Sequence, residues 1–257
     1  MLPASLDFSR DGDVGVLELR RVEKRNALDD DTVRGLERFA AAPPDGVRAL
    51  VLCAAGEHFS AGLDLGDVAS RDLAESIAHS RLWHRAFEAI ERGTVPVVAA
   101  LHGAVIGGGL ELAAACHIRV AERSTFYALP EGQRGIFLGG GGSVRLPRLI
   151  GTSRVMDMLL TGRVYDADAG QALGISQYLV DDGRARAKAL ELARAIAGNA
   201  PLSNFAIVQA LPRIAESPAS IGYFTEALVA AAAATDDEAK VRVQAFLDKR
   251  AGKVAKS

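Results

Sequence analysis

The stretch Ile106-Gly107-Gly108-Gly109-Leu110-Glu111-Leu112-Ala113-Ala114-Ala115 decides how this chain is read. Three glycines run into a leucine and alanine sequence that favours an α-helix. Backbone N–H groups at such a helix start are unpaired and sit at the positive end of the helix dipole, a natural place for an oxyanion. Glu111 falls in the first turn of an otherwise apolar helix. A carboxylate there is costly unless it is hydrogen-bonded or used, although a helix-start glutamate also gains from the dipole. Upstream, Pro96 opens an apolar strand, Val97 to Leu101; downstream, Ile118 to Ala121 reads as another. A second lone carboxylate follows in Ala128-Leu129-Pro130-Glu131, then Gly132-Gln133-Arg134-Gly135 and a four-glycine turn, Gly139 to Gly142. As a surface-turn glutamate, Glu131 would need no special account.

Farther out, the alternation of strand and helix continues. Val14 to Leu19 is a strand after the turn at Asp11-Gly12-Asp13. Asp29 to Thr32 supply N-cap candidates for a helix that ends at Pro43-Pro44. Val47 to Cys53 is a buried strand, Ile77 to Ile90 a helix and Ser153 to Leu160 another. This spacing predicts an α/β fold. Between the strand and helix on either side of it, Phe59-Ser60-Ala61-Gly62-Leu63-Asp64 forms a loop of small residues. It is either a plain strand-to-helix turn or a place where a ligand approaches main-chain N–H groups. Past Pro201 strand signals vanish and alanine-rich helical pattern runs from Ser203 to Leu247. The expected division is a core of residues 1–199 and a helical region of residues 200–257, with a loose tail from Ala251 to Ser257.

Composition excludes several classes. The 257 residues are 49% hydrophobic and carry 30 Lys+Arg against 32 Asp+Glu, a formal charge of -2. A core is easily built, and bulk attraction to nucleic acid or anionic lipid is not expected. No apolar run reaches the ~20 residues of a membrane span, and the N-terminal residues lack a secretory pattern. Cys53 and Cys116 have no partner pattern, so reduced thiols and a cytoplasmic location are expected. Walker and Rossmann phosphate loops are absent, Ser60 lacks the first glycine of a nucleophile elbow, and the five histidines show no metal-ligand spacing. No metal is expected.

Taken in order, these pieces resemble the crotonase (enoyl-CoA hydratase/isomerase) superfamily over nearly the whole chain. The resemblance runs through Lys24-Arg25-Asn26-Ala27-Leu28, Phe59 to Leu65, His102-Gly103-Ala104, Gly107 to Leu112 and Pro130-Glu131. It continues through Gly141 to Leu146, Ile150-Gly151, Leu160 to Arg163, Asp236 to Ala239 and Ala245 to Arg250. It implies a ClpP-like spiral of ββα turns and a C-terminal helical region that assembles trimers, often hexamers. The shared chemistry is stabilisation of a thioester enolate, with coenzyme A entering only as part of the acyl-CoA substrate and no other cofactor. By position, the N–H groups of Ala61 and Gly108 would form the oxyanion hole. Lys24, Arg25 and Ala27, with Ser60 and the Gly62, Leu63, Asp64 and Leu65 backbone, would cradle the CoA nucleotide beside Gly107; Lys24 or Arg25 would pair with its phosphates.

Glu111 and Glu131 match the two glutamates of enoyl-CoA hydratases in that family. The resemblance assigns Glu111 to the attacking water and Glu131 to the proton at C2. Isomerases commonly keep only the second acid, so retention of both favours a hydratase over an isomerase or a thioester hydrolase. The stretch Gly132 to Gly139 lacks the Pro-Gly of many hydratases and is similar to a subgroup that includes methylthioacryloyl-CoA hydratase. Trp83, Phe137 and Leu138 would then shape the acyl pocket, or simply pack the core. Some relatives bind RNA; Arg20, Arg21, Lys24 and Arg25 are the one local cluster in favour of that, and a solvated face explains them equally.

Overall fold

The computed structural model describes residues 2–66, 71–248 and 250. The expected loose tail at 251–257 lies outside them. Two compact units are present, Met1–Ala197 and Gly198–Ser257.

In the first unit, six strands form a sheet in the order β1 (Leu6–Asp11), β2 (Val14–Leu19), β3 (Ala49–Ala54), β4 (Val97–Leu101), β6 (Ile118–Glu122) and β9 (Tyr178–Val180). Only β1 pairs antiparallel, through the turn at Gly12; the others run parallel. Parallel strands are buried on both faces, and strict alternation separates two cores. Val14, Val16, Ala49, Val51, Val98 and Ala100 pack against Ala185, Ala189, Ala193 and Ala197 of α7 (Ala185–Ala197), an alanine stripe at helical spacing. The other face carries Leu17, Leu19, Leu50, Leu52, Ala99 and Leu101. These residues share a core with α1 (Asp30–Ala41), α2 (Leu73–Glu91) and α3 (Gly108–Ala115).

Side-chain caps fix the starts of two of these helices. The Asp29 carboxylate accepts the Thr32 N–H at 2.8 Å, and Asp72 with Glu75 closes a reciprocal capping box on α2. A second, three-stranded sheet is made of β5 (Ala104–Ile106), β7 (Phe126–Ala128) and β8 (Tyr165–Asp166). The parallel pairing of β5 with β7 sets Ile106 opposite Ala128. The segments leaving these two strands therefore start side by side, and one leads to Glu111, the other to Glu131. Helices α4 (Gly142–Ile150), α5 (Thr152–Thr161) and α6 (Ala167–Leu173) complete this unit.

The second unit consists of α8 (Pro201–Glu216), α9 (Ala219–Thr235) and α10 (Asp237–Leu247). Pro201 occupies the first turn of α8, and the Asp236 side chain caps α10. Large apolar side chains are exposed on all three helices, among them Phe205, Leu211, Tyr223, Phe224, Val241 and Phe246. No helix among the described residues is long and apolar enough to cross a membrane.

Candidate active site

Two backbone segments meet edge to edge. The loop after β3 is drawn into the second sheet by Ser60, whose N–H donates to the Ala104 carbonyl while its carbonyl accepts the Ile106 N–H. Gly62 follows with φ +90, and a Cβ there would lie 2.7 Å from the Ile106 carbonyl oxygen and 3.1 Å from the Gly108 nitrogen. Only glycine permits both the turn and the approach. As a result the Leu63 nitrogen lies 3.3 Å from the position a Gly108 Cβ would occupy.

The oxyanion pair named from the sequence needs one correction. The Ala61 N–H donates to the Arg25 carbonyl at 3.0 Å, so it is spent inside the fold. The neighbouring Leu28–Leu63 bridge uses the Leu28 and Asp64 N–H groups, and leaves the Leu63 N–H out. Leu63 and Gly108 both line the cavity that contains the glutamates. Ser60 is likewise not a ligand-facing residue. Its side chain is fully buried, donates to the Asn26 carbonyl and accepts from the Gly62 N–H, which locks the turn.

The cavity has a volume of about 310 Å³ and brings together Leu63, Gly108, Glu111, Glu131, Trp83 and the segment Ile136–Gly140. Glu111 is 3% exposed, and its Oε1 accepts the N–H groups of Gly140 at 2.9 Å and Gly142 at 2.8 Å. The glycine turn is thus a clamp for this carboxyl. A Cβ on Gly142 would fall 2.6 Å from Glu111 Cγ. Burial raises the Glu111 pKa, and the two amide donors oppose that rise.

Glu131 Oε2 is buried with no hydrogen-bond partner. Its Oε1 lies 2.6 Å from where a Gly107 Cβ would be, so Gly107, at φ +53, leaves the room this carboxyl occupies. Burial, with the nearby Glu111 charge adding to it, pushes Glu131 up to about 7. Two carboxyls with raised proton affinities thus share one cavity, the kind of environment that suits acid–base chemistry.

A stability test follows from Glu131. The folded protein holds this proton more tightly than the unfolded chain, so the stabilisation is present at low pH and is lost as pH rises through about 7. Glu131→Gln cannot ionise. Its melting temperature is expected to match the wild type near pH 5 and to exceed it by roughly 3–8 °C at pH 8. Calorimetry at the two pH values checks this, and an unchanged difference would show that the carboxyl ionises freely in the folded site.

Of the expected acyl-pocket residues, Trp83 and Leu138 are buried and belong to the core, yet line the cavity as well. Phe137 is 70% exposed at its rim. The Trp83 ring stacks edge-on against Phe87 and tilts against His79. The stretch without Pro-Gly forms a short 3-10 turn, Gly132–Arg134, and its continuation builds the cavity wall.

The expected CoA-contacting residues lie outside the cavity lining, except Leu63. Lys24 and Arg25 are exposed beside the Ala61 backbone. The Ala27 carbonyl accepts from Arg21, and Asp64 pairs with Arg21 at 2.7 Å, which lowers its pKa. Leu65 is exposed. Arg20 and Arg21, two of the four residues in the basic cluster, are engaged by Asp7, Glu18, Asp29 and Asp64. Among the histidines, His58 and His117 accept backbone N–H groups and His102 lies within hydrogen-bond distance of the Gly56 carbonyl.

Sequence reasoning missed the Leu63 amide, the Gly140 and Gly142 donors, and Arg71, Ser76, His79, Ser80 and Ile136 on the cavity wall. For the α2 residues a signal existed, since 76, 79, 80 and 83 recur at helical spacing. The amide donors depend on contacts across some thirty residues and left none.

The family model for enoyl-CoA hydratase/isomerase matches residues 9–255. The enoyl-CoA hydratase EchA19 of Mycobacterium tuberculosis is 32% identical, across 94% of this chain and 93% of its own. The 2,3-dehydroadipyl-CoA hydratase of Escherichia coli is also 32% identical, across 96% and 97%. A crystal structure from Rhodopseudomonas palustris, provisionally assigned as an enoyl-CoA hydratase, is 55% identical and superimposes with a TM-score of 0.93 over 96% of both chains.

Proposed function

Since the chain belongs to the enoyl-CoA hydratase/isomerase family, we propose that it adds water across the 2,3 double bond of an acyl-CoA thioester. The observation that carries this reading is the meeting of Glu111 and Glu131 in one cavity, beside the Leu63 and Gly108 backbone. The two amides hold the thioester oxygen as it becomes an enolate oxyanion. Glu111, fixed by the glycine clamp, takes a proton from water attacking C3. Glu131, with its free Oε2 and a pKa of about 7, delivers a proton to C2. Each turnover leaves Glu111 with a proton and Glu131 without one; transfer back through water restores the pair. Coenzyme A enters as part of the substrate, its nucleotide lying along the Lys24–Ala27 and Leu63–Leu65 segments.

A test of this reading follows the loss of enoyl-CoA ultraviolet absorbance together with product mass. A gain of one water supports hydration. A shifted double bond at unchanged mass supports an isomerase, and free CoA a hydrolase.

Assembly as a homotrimer, or a dimer of trimers, is part of the same proposal. Its support is the apolar surface left on α8, α9 and α10, which a lone chain would expose to water. Light scattering is expected to give three or six times 27.0 kDa; a monomer mass would reject this part.

A further inference from the structure

The cavity does not end at the glutamates. Trp83, Ser80, His79 and Ser76 lie on one face of α2 and share its wall. Trp83 stands at the amide end, its Cζ3 2.5 Å from where a Gly108 Cβ would be. From there the wall extends two helical turns, ~11 Å, toward the start of α2. Along this path the side chains change character, from indole to imidazole and hydroxyl, and then to the Arg71 guanidinium.

At Arg71 and His79 the cavity adjoins a second hollow, of about 870 Å³, between α1 and α2. Four arginines line it (Arg34, Arg71, Arg81 and Arg85) against two carboxylates, Asp30 and Glu75. Asp30 is shared among His79 at 2.8 Å, Arg34 at 3.3 Å and Arg71 at 3.5 Å, while Glu75 is committed to the α2 capping box. Arg85 pairs with Glu37. Arg81 has no carboxylate within ion-pair distance among the described residues. The far end of the acyl path is therefore positive. Among the described residues, Arg71, with a side chain only 17% exposed, makes one long ion-pair contact, to Asp30 at 3.5 Å, against five guanidinium donors.

Resting on the hydratase reading above, we propose that the acyl group taken by this site ends in a carboxylate, which Arg71 binds. A guanidinium matches a carboxylate with two parallel hydrogen bonds, which a methyl-ended chain cannot make.

The experiment compares 2-enoyl-CoAs of equal length that end in a carboxylate or a methyl group. It measures kcat/KM for each, and calorimetric Kd for the corresponding saturated acyl-CoAs. The wild type is expected to favour the carboxylate-ended member by about tenfold or more. Arg71→Gln should cut that preference about ten- to hundredfold, with Arg71→Lys retaining part of it. A wild type that favours the methyl-ended member, or a preference that Arg71→Gln leaves unchanged in both measurements, overturns the inference. Absence of hydration of either compound, with an Arg71-dependent binding preference intact, would instead reject the hydratase reading and leave the anion site standing.

Discussion

Glu111→Gln and Glu131→Gln are each expected to lower kcat for hydration by about 10²–10⁴-fold, the usual worth of a positioned acid or base. Glutamine suits this test because it keeps the shape of the site. At position 111 the amide oxygen can still accept the Gly140 and Gly142 N–H groups, so the clamp survives while the base is removed. At position 131 the change leaves the carboxyl's unpartnered oxygen position occupied but without a transferable proton. The two losses should be far from additive, because in the proposed reaction the carboxyls act on one water and one enolate. A double variant that retains wild-type turnover would end the paired-carboxyl mechanism. Loss of hydration in Glu111→Gln with a surviving double-bond shift would move the chain to the isomerase side of its family. The pH profile of the wild type carries the same information. The proposed reaction needs Glu131 protonated and Glu111 ionised, so kcat/KM should fall as pH rises through about 7, where Glu131 loses its proton.

Local chemistry explains which parts of this protein its sequence reveals. The Asp29 cap, the strand Val97–Leu101 and the helix starting at Gly108 are written in adjacent residues, and each forms where its pattern places it. Strands β5, β7 and β8 are two or three residues long, too short to show a period of two, so the sheet that joins the glutamates is invisible in sequence. Strand β1 reads Leu-Asp-Phe-Ser-Arg-Asp, which alternates but lacks β-branched residues. The glycine run 139–142 reads as a turn, whereas Gly142 begins α4 and its N–H faces a carboxyl 31 residues away in sequence. The choice between Ala61 and Leu63 as amide donor depends on which N–H the Arg25 carbonyl captures, a long-range contact with no local trace. Residue types were legible, because burying two carboxyls among glycines is costly without a purpose. The direction of each N–H was not.

That direction is what Gly108→Ala tests. A Cβ at 108 would lie 2.5 Å from Trp83 Cζ3, 2.9 Å from Cη2 and 3.3 Å from the Leu63 nitrogen. Contacts below 3.0 Å are not tolerated, so either the indole or the backbone must move. Trp83 is 2% exposed and held between His79 and Phe87, with ring centroids 5.5 and 5.4 Å away. Its displacement would intrude on the cavity, and a retreating backbone would separate the Gly108 and Leu63 amides. Overpacking of this kind costs about 1–3 kcal/mol of stability. The larger effect is kinetic. Donors aimed at a developing oxyanion act on the transition state, so kcat is expected to fall about 10²–10³-fold with a smaller change in KM. Steady-state kinetics on a folded, correctly assembled variant reads this directly. Wild-type kcat in Gly108→Ala would mean that the thioester oxygen is held elsewhere, and that the meeting of these two backbone segments serves the fold alone.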